Sequence, residues 1–409
     1  MTDISTPQVK PDFMRFLRSN VRDYALLLSL LAIMIFFQYN TNGTLFKPVN
    51  MTNLLLQNSY IVVMALGMLL VIVAGHIDLS VGSVSGFIGA LAAVLMTGTS
   101  PNPDLFSIPK LDFVTSSIIC LAVGAAIGAV QGYFIAYYKI PAFIVTLAGM
   151  LIFKGLALSV LGGASVGPLP PTFQLLSTGF LTDVFGIQLF GAPFNLLALL
   201  IGTFITSLLI YFNFKERNSQ LQHGLAEEPQ AIFYGRNILI AVAFIGFSFI
   251  MGRYKGLPNV LIVMFALIAL FVFITTRTTF GRRIYAMGGN EKAAKLSGVN
   301  TERLTFWIFT IMGALAALGG LIFAARLNVA TPKAGAGFEL EVIAACFIGG
   351  AAVTGGVGKI VGAVIGAFII GVMNNGMSIM GIGIDWQFVI KGIVLLLAVF
   401  LDVKFKNKG

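Results

Sequence analysis

Residues able to do chemistry are few in this chain, and they stand apart. Asp78 lies in Gly75-His-Ile-Asp-Leu-Ser-Val-Gly-Ser83, between two apolar runs, and a carboxylate at membrane depth is costly unless it has a partner or a task. Two readings stand for it. One is a broken helix that presents backbone groups, Ser80 and Ser83 to a polar solute or to neighbouring helices; the other is a tight turn with Asp78 capping the next helix. Lys154 falls near the middle of one apolar run and Lys391 occupies a similar place in another, so each can line an aqueous path or snorkel to an interface. Thr146, Asn374 and Asn375 join them as candidates to line a pathway.

Catalytic and metal chemistry lack the residues they need. Gly355-Gly-Val-Gly-Lys359-Ile360 is no phosphate-binding loop, because Val353 takes the first glycine position and Ile360 replaces the required Ser or Thr. Gly381-Ile-Gly-Ile-Asp385 carries one residue too many for the Gly-x-Gly-Asp of intramembrane aspartyl proteases. Cys120 and Cys346 lie in separate apolar runs, and His76 and His223 are the only imidazoles, which makes neither a disulfide framework nor a transition-metal centre. The chain is expected to carry no catalytic residue, metal or bound cofactor.

The elements that must position these residues are set by composition. Of 409 residues, 57% are hydrophobic and 10% charged, far from the roughly one-quarter charged residues of a soluble domain. A span takes about 20 apolar residues, and runs of that order occur near Tyr24–Tyr39, Met51–Ala74, Val84–Thr97, Thr115–Tyr138, Ala142–Leu161, Pro193–Phe214, Ile238–Met251, Val260–Thr276, Leu304–Ala325, Phe338–Val353, Ile360–Asn374 and Trp386–Leu401. The expected fold is an all-α polytopic membrane protein of about 12 transmembrane segments. Glycine-rich stretches at Gly75–Gly86 and Gly349–Gly358 predict broken or re-entrant helices.

The net charge of +10 reads as orientation. Its basic residues sit in gaps between apolar runs, not in aromatic-laced stripes, so no nucleic acid is implied. With the polar leader of residues 1–23 inside, the cluster Arg277, Arg282, Arg283, Lys292, Lys295 and Arg303 also falls inside, and the loop Gly162–Ala192, without Lys or Arg, falls outside. Both termini are then cytoplasmic. Lys10, Arg15, Arg18 and Arg22 precede the first apolar run and no small-residue cleavage site follows it, so the leader does not read as a cleavable signal.

Val123-Gly-Ala-Ala-Ile-Gly-Ala-Val130 nearly matches Val361-Gly-Ala-Val-Ile-Gly-Ala-Phe368, and Ile152-Phe-Lys-Gly-Leu-Ala-Leu158 is echoed by Val389-Ile-Lys-Gly-Ile-Val-Leu395. Matched order and spacing point to a repeat, and the orientation above makes it inverted. The chain then divides into a first core half, 24–162, an external loop with an inserted helix pair, 163–252, and a second core half, 253–409, giving a five-plus-five core. The charged connection Lys215–Asn237 reads as a cytoplasmic hairpin loop. Gly124, Gly128 and Gly132, like Gly362 and Gly366, form helix faces without side chains for close packing.

The loop 277–303 holds the best-defined element outside the spans. Asn290 can cap a helix, Glu291 can pair with Lys295 at i,i+4, and Gly298 can stop it, which predicts about two turns over Glu291–Ser297. So short a helix needs something to pack on.

Four stretches, in order, resemble a known family: Ile77-Asp-Leu-Ser-Val-Gly82, Ile140-Pro-Ala-Phe-Ile-Val-Thr-Leu-Ala-Gly149, Phe280 to Glu291 running on to Leu296-Ser-Gly298, and Ile343 to Gly350 running on to Gly355-Gly-Val-Gly358. They are similar to permeases of bacterial ABC importers for monosaccharides, in the ribose/xylose branch, with the added pair nearer the D-xylose and multiple-sugar members. The resemblance implies a homodimer in the inner membrane, fed by a periplasmic sugar-binding protein and driven by a cytoplasmic ATPase subunit that uses ATP. It implies that Gly288, Gly289, Asn290, Glu291, Ala294 and Gly298 belong to the element that couples to that ATPase, although Glu291-Lys-Ala-Ala294 departs by one residue from the usual Glu-Ala-Ala spacing. An ion-coupled secondary sugar carrier would share the inverted repeat, with Asp78 as its candidate acid.

Overall fold

The computed structural model describes residues 21–99, 110–189, 191–222 and 228–406. Most of the leader, with Lys10, Arg15 and Arg18, and likewise His223 and Lys408, lies outside the described residues. Each apolar run contributes a helix. In chain order the helices are α1 (Val21–Asn40), α2 (Pro48–Val73), α3 (Val81–Thr97), α4 (Phe113–Tyr137), α5 (Ala142–Leu161) and the single turn α6 (Pro171–Gln174). After a hairpin follow α7 (Leu196–Gln222), α8 (Gln230–Gly252), α9 (Asn259–Arg277), α10 (Thr279–Gly289) and α11 (Glu291–Leu296). The last four are α12 (Thr301–Leu327), α13 (Phe338–Ile348), α14 (Ile360–Ile379) and α15 (Ile384–Lys406). Among the described residues, 8 helices are long and apolar enough to cross a membrane: α2, α4, α5, α7, α8, α9, α12 and α14.

Local chemistry fixes the ends. Asp112 accepts from the backbone N–H groups of Val114 and Thr115, both at 3.0 Å, and so starts α4. Prolines at 141, 229 and 258 immediately precede α5, α8 and α9, where a missing N–H costs nothing. Helix α2 stops in a left-handed glycine: Gly75 has φ +85°, and the His76 N–H reaches back to Val71 O at 3.0 Å, the bond that closes a Schellman turn.

By internal packing the chain forms two units. The described part of the smaller one consists mainly of Leu181–Leu257. Its strands β1 (Ile187–Leu189) and β2 (Ala192–Phe194) pair antiparallel, Gln188 opposite Pro193, so the fold is not wholly helical as composition implied. Two strands of three residues each are below the length at which apolar periodicity is readable. Helices α7 and α8 lie side by side, joined by the Asn213–Asn237 amide bond of 2.9 Å, and Gly202 lets Ser248 approach. Both run through the connection that the sequence suggested was a loop. Lys215 and Arg217 are on α7 and Arg236 on α8, while 223–227 lie outside the described residues. Arg217 and Arg236 both stack on Phe233, at 4.4 and 5.6 Å from its ring centre, and Arg236 also pairs with Glu228 at 3.1 Å.

The larger unit comprises residues 29–46, 50–180 and 258–409. Its centre is α2, buried from Asn58 to Val73 without a break. Lipid offers apolar side chains the same environment as protein, so close packing and hydrogen bonds must drive such helices together. The α4–α12 seam shows how. A side chain at Gly124, Gly128 or Gly132 would run into backbone of Gly313, Phe309 or Phe306 respectively, and one at Gly313 would strike Gly124 O. The face predicted from glycine spacing is therefore a backbone-to-backbone contact. Gly362 and Gly366 make an equivalent approach to Gly349 and Ala345, at the end of α13. Polar anchors tie α2 to α14: Asn50 and Asn375 exchange two amide bonds of 2.9 and 3.1 Å, and Asn58 donates to Ala367 O at 2.8 Å.

Candidate functional site

The α9–α12 connection is built as an element, not as a loop. Thr278 starts α10 by accepting from the Gly281 N–H at 3.2 Å. Asn290 is the one-residue hinge between α10 and α11, extended at φ −159°, and its side chain accepts from the Ala293 N–H at 3.0 Å. At the far end Gly298 has φ +84°. The N–H groups of Gly298 and Val299 return to Lys295 O and Ala294 O at 3.0 and 3.1 Å, another Schellman turn. Ala294 is buried, whereas Leu296 is 91% exposed. The expected Glu291–Lys295 pair does not form. Lys295 instead donates to Glu302 at 2.5 Å, and Lys139 approaches the same carboxylate oxygen at 3.3 Å. Glu302 stands in the first turn of α12, so it offers Lys295 a carboxylate favoured by the helix N-terminus. That hydrogen bond and charge raise the Lys295 pKa.

Three glycine breaks converge where α10 ends. Gly288 lies against Val73 O and Gly356 N, with no room for a side chain. The backbone of Gly289 is against Gly356, and Gly355 faces both Gly75 and Gly288. The Gly356 N–H donates to Val73 O at 2.8 Å, satisfying one of the carbonyls that the end of α2 leaves open. Tyr285 of α10 adds a hydroxyl bond to Gly358 O at 2.7 Å, and burial raises its pKa so that it stays a donor.

A second cluster surrounds Asp78. This residue is buried and is not the cap of α3; Ser80 holds that position, without a side-chain cap bond. Asp78 Oδ1 instead accepts from the N–H and the hydroxyl of Ser80, both at 2.7 Å. Ser80 in turn accepts from Gln131 Nε2 of α4 at 3.0 Å. Gly149 of α5 leaves room for that amide. Ser83 and Thr146 are turned inward on backbone: Ser83 donates to Ser80 O at 2.8 Å and Thr146 to Ala142 O at 2.9 Å. Asp78 thus sits in the break between α2 and α3, partnered by Ser80.

Lys391 finds an acid. Lys391 on α15 donates to Glu341 Oε1 of α13 at 2.7 Å, and Asn374 Nδ2 donates to the same oxygen at 3.1 Å, so Lys391 does not snorkel. Glu339, Glu341, Gln131, Tyr285 and Glu302 are the residues sequence reasoning missed. One signal was present: Asp78-Leu-Ser-Val81 leads into α3, which starts at Val81, and the similar Glu339-Leu-Glu-Val342 lies in the first turns of α13. Cys120 and Cys346 are buried free thiols, and the described residues contain no group of His, Cys, Asp and Glu able to hold a metal.

Buried polar groups at helix breaks, glycine seams and one capped connecting helix fit a membrane transport protein. Residues 50–399 match the family described as "Branched-chain amino acid transport system / permease component", and the chain belongs to that family. It is 38% identical over 389 residues to the xylose transport system permease protein XylH of Haemophilus influenzae, covering 95% of this chain and 98% of that one. The XylH of Escherichia coli is 36% identical over 398 residues, covering 95% and 94%. The ribose import permease protein RbsC of Escherichia coli is 33% identical over 355 residues, 87% and 86% of the two chains. No solved structure matches.

Proposed function

We propose that this chain is the membrane-spanning permease subunit of an ATP-driven monosaccharide importer, carrying xylose or a related sugar, with α11 seated in a separate ATPase subunit. The observation that carries the reading is α11 itself. A six-residue helix cannot hold its shape alone; this one is capped at both ends, anchored through Ala294, and leaves Leu296 almost fully exposed. A single projecting leucine on a charged connection fits an apolar cleft of a partner. The names of the relatives supply the sugar class, and the absence of a phosphate-binding sequence assigns hydrolysis to the partner.

The rest of the assembly follows from the same reading. The remaining long or broken helices α1, α3, α13 and α15 complete about 12 crossings of the inner membrane, both termini are cytoplasmic, and two copies of the chain form the pathway. A periplasmic binding protein delivers the sugar. The five-plus-five inverted core, with halves at 24–162 and 253–409 around an inserted 163–252, is supported by the matched segments Val123–Val130 and Val361–Phe368 and by the similar Asp-Leu-Ser-Val and Glu-Leu-Glu-Val stretches beside α3 and in α13. Asp78, Ser80, Lys154 and Asn374 would face the path when it opens.

The test is reconstitution in proteoliposomes with ATPase and binding protein. Leu296→Asp and Gly298→Val should abolish sugar-stimulated ATP hydrolysis while membrane insertion stays intact. Uptake that proceeds without the ATPase and collapses with the proton gradient would replace this reading by an ion-coupled carrier.

A further inference from the structure

The glycine junction below α10 joins parts that lie far apart in sequence. Gly75 ends α2 and opens the break before α3, Gly355–Gly358 forms the break before α14, and Gly288–Gly289 ends α10 one residue before α11. Gly288 and Gly289 bring the backbone of α10 into direct contact with the other two segments. Two hydrogen bonds then fasten the three together, Gly356 N–H to Val73 O and Tyr285 hydroxyl to Gly358 O. Backbone packed on backbone, without intervening rotatable side chains, transmits a displacement with little loss.

We propose that this junction is the mechanical relay of the permease, and that Tyr285 is its positioning residue: movement of α11 is passed through Gly288 and the Tyr285 hydroxyl to both helix breaks at once. The relay rests on the reading of α11 as the ATPase contact and goes beyond it, because it names where the force goes next. The breaks it reaches open onto Asp78 in one half, through Gly75, and onto the start of α14 in the other. Tyr285 lies on α10, outside α11, and its hydroxyl meets the break before α14. Its ring is held among core residues, so removal of its hydroxyl leaves packing in place and loosens only the tie to Gly358.

The experiment uses the full complex in proteoliposomes, comparing wild type with Tyr285→Phe. The readouts are ATPase co-purification, thermal stability, and sugars imported per ATP hydrolysed. The expected result is unchanged co-purification, a fall in stability no greater than the loss of one net hydrogen bond, and sugars per ATP reduced by up to roughly fivefold, the factor that corresponds to that bond. Gly288→Ala, which forces α10 off Val73 O, should lower the ratio further; if that variant fails to insert, Tyr285→Phe still decides. A wild-type ratio in Tyr285→Phe would overturn the relay. If wild type itself shows no hydrolysis stimulated by sugar-loaded binding protein, it is the assignment of α11 that fails, and the two failures are distinguishable.

Discussion

The Glu341–Lys391 pair gives the sharpest energetic test. The two charged atoms are 2.7 Å apart, with side chains only 17% and 19% exposed. Removing one partner of a fully buried pair costs about 3–5 kcal/mol, because the other charge is left uncompensated. Residual exposure and the Asn374 bond to Glu341 reduce that, so Lys391→Met should cost about 2–3 kcal/mol. Glu341→Gln should cost less, about 1–2 kcal/mol, since Lys391 keeps an amide oxygen and the face of Phe388 at 4.9 Å. The double variant has no charge to strand, and its glutamine still accepts from Asn374, so it should lie within about 1 kcal/mol of wild type. Denaturant unfolding in mixed micelles measures the cycle. Costs that simply add in the double variant would show that the two side chains do not act as a pair.

Two further outcomes follow from the helix seams and ends. Gly128→Ala should destabilise the larger unit by about 1–3 kcal/mol, since its methyl would meet Phe309 O with no flexible side chain to yield; the same substitution at Gly155, where nothing lies within 4 Å, should be close to neutral in the same unfolding assay. Hydrogen bonds from Thr115 hold the Asp112 carboxyl below its usual pKa. Its cap therefore stabilises the start of α4 fully above about pH 4, the unfolded value, and is lost as pH falls through the lower folded value. Amide exchange at residues 113–116 should accelerate in acid in wild type and show no such dependence in Asp112→Asn.

Glycine and charge carried most of what could be read beforehand. Helix existence followed from apolar run length, and Asn290 and Gly298 bracketed α11 because caps act within four residues. The Gly124, Gly128 and Gly132 face followed from helical spacing alone. What failed was partner choice at longer range. Glu291 lies four residues from Lys295, but Glu302 lies seven residues away across a turn, and only the folded turn at Gly298 brings it within reach. Lys391 was visible as an anomaly, whereas Glu341 looked like an ordinary acid at a helix start. The junction of Gly75, Gly288 and Gly355 was hidden for a similar reason: each glycine marks a break by itself, and nothing local says that the three breaks meet.

The matched glycines also show what a repeat in sequence does and does not specify. Gly124 and Gly128 correspond to Gly362 and Gly366 in the repeated segment, yet the first pair packs on the middle of α12 and the second on the end of α13. A face without side chains has no shape of its own to select a partner, so it accepts any helix that offers small residues or open backbone. Selection falls to the few polar groups beside it. Gln131, one turn beyond Gly128, holds α4 to Ser80. Asn374 and Asn375, two turns beyond Gly366, hold α14 to Glu341 and Asn50. Those anchors differ between the two similar segments, and this is how they come to occupy different surroundings in one chain.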